Sequence, residues 1–208
     1  MNKYLSVFLV FLIVGISGCC APIPWSAWNY ETTFEFDGYP SPWNMPDVEQ
    51  FSGLYVDGVF MNIFVKAHNE TTNSGSSPYR IIITATENTI ENKSIVFHSV
   101  KVTDSQGGKY NFQPITIDNA AKKTGEVDFP VARTLDPIKY HNPSPAVKKS
   151  RRASLWSDDN IRLGPDNGSV LIVTLDVEVI RADGNERKIV NFKFMPNRES
   201  GVLQCLTA

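Results

Sequence analysis

The segment that decides the fold is residues 169–195, which read SVLIVTLDVEVIRADGNERKIVNFKFM. In its first half, apolar side chains occupy every second position: Leu171, Val173, Leu175, Val177 and Val179. This period of two predicts a β-strand with one buried face, because successive side chains of a strand point to opposite sides. After the turn residues Asp183, Gly184 and Asn185, the alternation resumes at Val190, Phe192 and Phe194. The alternation and the turn together predict an antiparallel β-hairpin.

The same pattern recurs toward the amino terminus, and no segment of the chain shows a helical period. A second hairpin is predicted from strands 95–103 and 110–117, with Gly107 and Gly108 supplying positive φ angles in the turn. Further strands are predicted at 32–36, 54–67 and 79–86.

About seven or eight strands without a helix favour an all-β, antiparallel β-sandwich of immunoglobulin-like architecture. A partly open barrel is the alternative. The Cys, Trp and Cys spacing of true immunoglobulin domains is absent, so the term describes the architecture only.

The first eighteen residues have the layout of an export signal. Lys3 provides a positive charge, and residues 5–16 form an apolar run interrupted only by Ser6 and Gly15. Twelve helical residues span only about 18 Å, which is short of the roughly 30 Å hydrocarbon core of a bilayer. The run therefore predicts a signal peptide and not a permanent transmembrane helix.

The next residues, Ile16, Ser17, Gly18 and Cys19, resemble the lipobox of bacterial lipoproteins. The resemblance implies that residues 1–18 are removed and that Cys19 carries acyl chains, which form an essentially permanent membrane anchor. The residue after Cys19 is Cys20 and not Asp, which in enterobacteria-like sorting implies the outer membrane. The alternative is an ordinary secretory signal followed by an incidental cysteine.

Two further cysteines remain once Cys19 is acylated. In an oxidising compartment, Cys20 and Cys205 are either a disulfide or two separate thiols. Their bridge would connect the anchor to the carboxyl terminus.

Residues 19–48 are rich in proline and contain three of the four tryptophans, Trp25, Trp28 and Trp43. Proline disfavours helices and central strands, so this segment is predicted to be an extended tether that partly packs on a β-sandwich domain at residues 49–208. The tryptophans have three alternative roles: burial against the domain, a belt at the membrane interface, or a surface that stacks on sugar rings.

Within that domain, residues 132–168 are predicted to be a long irregular insert, since they contain several prolines and no obvious strand of ordinary length. Four of its basic residues are clustered: Lys148, Lys149, Arg151 and Arg152. They are candidates for binding an anionic partner, such as anionic lipid headgroups, lipopolysaccharide phosphates or an acidic protein patch. The alternative is a solvated charged loop.

Candidate catalytic residues are few, because the three histidines, His68, His98 and His141, lie in no recognisable motif. His98 is predicted to be a half-buried structural residue on the strand face of Val96, Val100 and Val102. No metal site, cofactor site or nucleic-acid module is expected, and a net charge of −2 argues against a general polyanion binder.

The sequence favours a non-catalytic binding or scaffolding lipoprotein, attached to the membrane by its lipid and working with an envelope protein complex or anionic lipid. The alternative is an envelope hydrolase whose site is assembled from scattered residues.

Overall fold

The protein is described by a computed structural model that covers residues 23–32, 51–67, 78–88, 91, 93–118, 122–138, 150–158 and 160–203. These residues form two antiparallel sheets packed face to face around one apolar core. The helical elements in this part of the chain are two short 3-10 turns, Ser52–Leu54 and Pro165–Asn167. The predicted all-β sandwich is confirmed.

Fourteen strands follow one another along the described chain. They are β1 (Ile23–Thr32), β2 (Tyr55–Val56), β3 (Val59–Ala67), β4 (Pro78–Glu87), β5 (Ser94–Asp104), β6 (Lys109–Tyr110), β7 (Pro114–Asp118), β8 (Lys122–Glu126), β9 (Val131–Thr134), β10 (Asp136–Pro137), β11 (Arg151–Ser157), β12 (Ile161–Arg162), β13 (Leu171–Arg181) and β14 (Gly184–Leu203). The first sheet has the order β1-β14-β13-β5-β6, and β9 also pairs with β5. The second has the order β2-β3-β4-β11-β7-β8, with β10 beside β11 and β12 beside β4.

The predicted carboxyl-terminal hairpin is confirmed as β13 and β14. Its strands pair from Leu171 opposite Phe194 to Arg181 opposite Gly184. All five aliphatic residues of the alternating face of β13 are fully buried. β14 continues past the end of β13 and pairs with β1 instead, so a single strand connects the hairpin to the edge of the sheet.

Two predicted strands are divided in the structure. The segment 54–67 turns back on itself at Asp57 and Gly58, both with positive φ, and forms the short pair β2 and β3. The predicted partner of β5, at 110–117, pairs with β5 only at β6, and the chain then crosses to the second sheet as β7. Gly107 has the expected positive φ of 88°, but Gly108 is not among the glycines with positive φ.

The prediction that residues 132–168 form an irregular insert is wrong for much of this segment. It includes β10, β12 and the seven-residue strand β11, which lies between β4 and β7 in the second sheet. The strand was missed because its buried positions are Ala153, Leu155 and Ser157, and two small residues give a weak apolar period. Residues 139–149 of this segment lie outside the described residues.

The prediction that residues 19–48 form an extended tether is also wrong in part. Residues 23–32 are β1, which pairs with β14 over its entire length, so the sandwich begins well before residue 49. Pro24 is tolerated there because β1 is an edge strand of the first sheet, where one side needs no ladder hydrogen bonds. Residues 33–50, including most of the predicted strand 32–36 and Trp43, lie outside the described residues.

The packing of β13 gives a direct stability prediction. Leu175→Ala removes a fully buried side chain from the middle of the core, and we expect the free energy of unfolding to fall by about 2–5 kcal/mol. Urea denaturation followed by circular dichroism measures the change. The matched control is Ile189→Ala on β14, whose side chain is 62% exposed and whose loss is expected to cost less than about 0.5 kcal/mol. Equal losses for the two variants would contradict this core.

Candidate functional site

The structure describes only part of the predicted site residues. Arg151, Arg152 and His98 lie in β11 and β5. The others lie outside the described residues: Cys19, Cys20, His68, His141, Lys148, Lys149 and Cys205. The placement of the lipid anchor, the disulfide and the first half of the basic cluster therefore remains a prediction.

Arg151 and Arg152 of the predicted basic cluster have different surroundings. They are consecutive residues of β11, so their side chains leave opposite faces of the second sheet. Arg151 lies opposite Glu87 in the strand register, and its Nε donates a 2.6 Å hydrogen bond to the carbonyl oxygen of Leu135. Arg152 instead lines an open cleft of about 420 Å³. The predicted four-residue patch is therefore not one surface.

This cleft, which we call the β11 cleft, lies where the chain passes from the first sheet to the second. β9 belongs to the first sheet, and β10 follows it immediately in the second. The residues that line the cleft are Ile115, Thr116, Arg133, Thr134, Asp136, Arg152, Ala153, Ser154 and Trp156.

The floor of the β11 cleft is an interruption in the pairing of β11. One edge of β11 pairs with β4 from Arg151 to Trp156. The other edge pairs with β10 at residues 151–152 and with β7 at residues 156–157, and neither ladder extends to Ser154. β7 itself continues to Asp118, but there it pairs with β8. Thr134, which the register of β10 would place there, pairs with Ser94 in the first sheet.

The main-chain groups of Ser154 point into this interruption. Ile138 N–H donates to the carbonyl of Ser150, and Asp158 N–H donates to the carbonyl of Gln113, both across the edge of β11 that faces β10 and β7. Alternate residues of an antiparallel strand direct their N–H and C=O to the same edge. Ser154 has the same parity as Ser150 and Asp158, so it presents one donor and one acceptor to the cleft.

The largest side chains around the cleft are two arginines and one tryptophan. Arg133 and Arg152 contribute two guanidinium groups, and Asp136 contributes one carboxylate. Trp156 is partly buried, and the guanidinium of Arg80 lies 5.2 Å from its ring centre in a cation–π contact. Because Arg is a fork of N–H donors suited to carboxylate and phosphate groups, this lining fits an anionic ligand.

A second cleft, of about 500 Å³, lies beside β5 and β6. Its lining includes Lys101, Lys109, Tyr110, Phe112 and Phe129. The hydroxyl of Tyr110 already donates to the carboxylate of Asp104, and that hydrogen bond lowers the pKa of Asp104. The Tyr110 hydroxyl therefore helps to hold the turn between β5 and β6.

A cluster of four charged side chains joins the end of β4, the end of β13, the turn between β2 and β3, and the residue before β5. Lys93 Nζ lies 2.9 Å from the carboxylate of Glu87, and both side chains are almost fully buried. The same ammonium donates to the carbonyl oxygen of Asp57, at 3.2 Å. The carboxylate of Asp57 is paired with Arg181 at the end of β13.

The cluster resembles one feature expected of a hydrolase, since Asp57 and Glu87 are both largely buried carboxylates. Burial raises the pKa of Glu87, and the neighbouring Lys93 offsets part of that rise. However, each carboxylate is engaged by a cation, and neither residue lines either of the two clefts described above. The arrangement favours a structural role, since charges removed from water require paired partners.

The alternation predicted that His98 shares a face with Val100 and Val102. In the structure, His98 instead lies on the outer face of the first sheet. A bulge shifts the register between β13 and β5 at Asp176 and Val177, which reverses the alternation beyond it. His98 is 24% exposed, and its Nε2 lies 2.8 Å from the carboxylate of Glu178. This hydrogen bond lowers the pKa of Glu178, so the pair fits a cross-strand contact.

Other site types find no support in the part of the chain that the structure describes. Among the described residues, no helix has the length and hydropathy needed to span a bilayer. The same residues bring together no group of three or more His, Cys, Asp or Glu side chains suited to a metal ion.

Comparisons of the chain with family models, with curated proteins and with solved structures find no match. The chemistry of the β11 cleft therefore carries the functional conclusion. Sequence reasoning identified Arg152 but missed Arg133 and Trp156, which no local motif connects to it. The alternation in residues 151–157 was the one signal that could have separated Arg151 from Arg152.

The raised pKa of Glu87 predicts a pH dependence of stability. A carboxyl group whose pKa is higher in the folded state than its ordinary value of 4.5 stabilises the fold below that value. This stabilisation is lost as the pH rises through the folded-state pKa. The side chain that Glu87→Gln introduces cannot titrate. We therefore expect the unfolding free energy of the wild type, minus that of the variant, to fall as the pH rises from about 4 to 8.

Urea denaturation at closely spaced pH values measures this difference. Glu186→Gln, at an exposed position of β14, is the matched control and is expected to retain the wild-type profile. A Glu87→Gln profile parallel to that of the wild type would contradict the assignment.

Proposed function

We propose that this protein is a lipid-anchored envelope lipoprotein whose β-sandwich is a non-catalytic binding or scaffolding module. Cys19 would hold the domain on the outer membrane, and the β11 cleft would bind an anionic partner, either a component of an envelope protein complex or an anionic lipid. The signal-like residues 1–18 and the lipobox-like residues 16–19 support the anchor.

The observation that carries the binding role is the lining of the β11 cleft. Arg133, Arg152, Trp156 and the strand edge at Ser154 line one open volume. Asp136 is the one carboxylate among the described residues that line the volume, and the rest are two arginines and neutral side chains, so the lining suits an anionic ligand. The hydrolase alternative has no comparable support, because the buried carboxylates of Asp57 and Glu87 are held by Arg181 and Lys93.

The anchor is tested by acyl labelling in a bacterial host. Cys19→Ser removes the only thiol that the lipobox pattern selects, so we expect incorporation of radiolabelled palmitate to fall to background and the protein to leave the membrane fraction. Cys20→Ser is the matched control, one residue away, and is expected to keep both the label and the membrane attachment. Persistent labelling of Cys19→Ser would refute the anchor.

The binding role is tested by replacing both arginines of the β11 cleft with serine, Arg133→Ser together with Arg152→Ser. The matched control is Lys66→Ser together with Lys101→Ser, which removes the same charge from exposed positions outside this cleft. One assay is flotation with phosphatidylglycerol vesicles, with every chain carrying Cys19→Ser so that the anchor does not mask the result. The other is chemical crosslinking in the native membrane.

We expect the arginine variant to lose at least about tenfold in affinity for the vesicles, or to lose a crosslinked protein partner, since each basic residue near a charged surface contributes about 1 kcal/mol. The lysine variant should behave as the wild type does. If the arginine variant binds as the wild type does in both assays, this cleft is excluded as the binding site.

A further inference from the structure

The main-chain groups that Ser154 presents to the β11 cleft indicate what kind of anionic partner it takes. We propose that the cleft binds an acidic polypeptide segment in extended conformation, which adds a short strand to β11 between β10 and β7. The inference rests on the proposed binding function and names the class of its ligand.

The first argument is the pairing geometry. The β10 ladder ends at Arg152 and the β7 ladder ends at Trp156, so the interruption spans four residue steps, or roughly 13 Å. An extended chain of about three residues fits this length, and its central residue would lie opposite Ser154. That residue would complete the two-hydrogen-bond pair that Thr134 does not make, because Thr134 is paired with Ser94 in the other sheet.

The second argument is the balance of donors and acceptors. A phosphodiester or sulfate ester group offers acceptor oxygens only, so it can satisfy the N–H of Ser154 but not its carbonyl. A peptide unit offers one N–H and one C=O with the spacing that a strand edge requires. Strand addition of this type gives affinity through main-chain bonds, while side-chain pockets give specificity.

The third argument is charge. The Arg133 guanidinium carries five N–H donors, and its bond to the carbonyl oxygen of Ala132, at 3.1 Å, engages one nitrogen, Nη1. Arg152 lines the same volume from the other side, next to β10. A glutamate or aspartate of the incoming segment would meet these groups, whereas a basic segment would be repelled. The carboxylate of Asp136 limits how many acidic residues the segment can place at the β10 end.

The test uses the complete mature protein in neutral detergent micelles and a defined probe. The probe is a fluorescent seven-residue peptide of alternating valine and glutamate, and its partner peptide has lysine in place of glutamate. A third peptide keeps the glutamates but carries N-methyl groups on the main-chain nitrogens of its central three residues, so it cannot donate to a strand edge. Fluorescence anisotropy measures binding of each peptide.

We expect the acidic peptide to bind and the lysine peptide not to bind. N-methylation and the Arg133→Glu substitution should each weaken binding by roughly tenfold or more, since the first removes a main-chain pair and the second replaces a charge-assisted hydrogen bond by a repulsion. Lys66→Glu, on β3, makes the same charge change outside the cleft and should leave the affinity unchanged. Hydrogen exchange of the Ser154 amide should slow when the acidic peptide is bound.

The outcomes separate this inference from the broader function. If Arg133→Glu weakens binding but N-methylation does not, the cleft binds anions without strand addition, and the inference is overturned while the binding function stands. The same conclusion follows if the acidic peptide fails to bind and phosphatidylglycerol vesicles bind through Arg133 and Arg152. If neither probe depends on these arginines, both proposals fail.

Discussion

The pairing of β13 on both of its edges is the constraint on which the rest of the structure depends. Its inward face is fully buried, and its two neighbours, β14 and β5, extend the first sheet in opposite directions. A one-residue slip of β13 would move every apolar side chain of this face into solvent. The register of the central strands is therefore strongly determined, and the second sheet packs against the apolar surface that they create.

The route of the chain between the two sheets creates the β11 cleft. Leu135 is buried at the crossing, where its N–H donates to the carbonyl oxygen of Lys93, the residue before β5. The chain then joins β11 as β10. Because β9 stays with β5, part of the β11 edge has no partner strand among the described residues. An open edge invites pairing with other chains, and positive charges such as Arg133 and Arg152 discourage indiscriminate pairing. The same charges would select an acidic segment.

The charged cluster beside this crossing has a different consequence. Glu87, Lys93, Asp57 and Arg181 come from four separate strands or turns, and each ion requires a partner that only the folded chain supplies. The free energy lost on removing these groups from water is offset by their pairing, so the net contribution to stability is small. Such a network raises the free energy of any alternative packing in which one of these charges is buried without an oppositely charged partner.

The sequence by itself determined the all-β class, the hairpin of β13 and β14 and the faces that they bury, because strand periodicity is a local property. It also predicts an export signal at residues 1–18 and a lipid anchor from the lipobox-like residues 16–19. Arg152 was identified from its charge alone. Only the tertiary structure decided that β6 and β7 belong to different sheets, that 23–32 is a strand, and that Arg133 and Trp156 lie beside Arg152. The physical reason is that a period of two shows which side chains are buried but not which strand lies alongside, and strand partners are chosen by packing between segments distant in the chain.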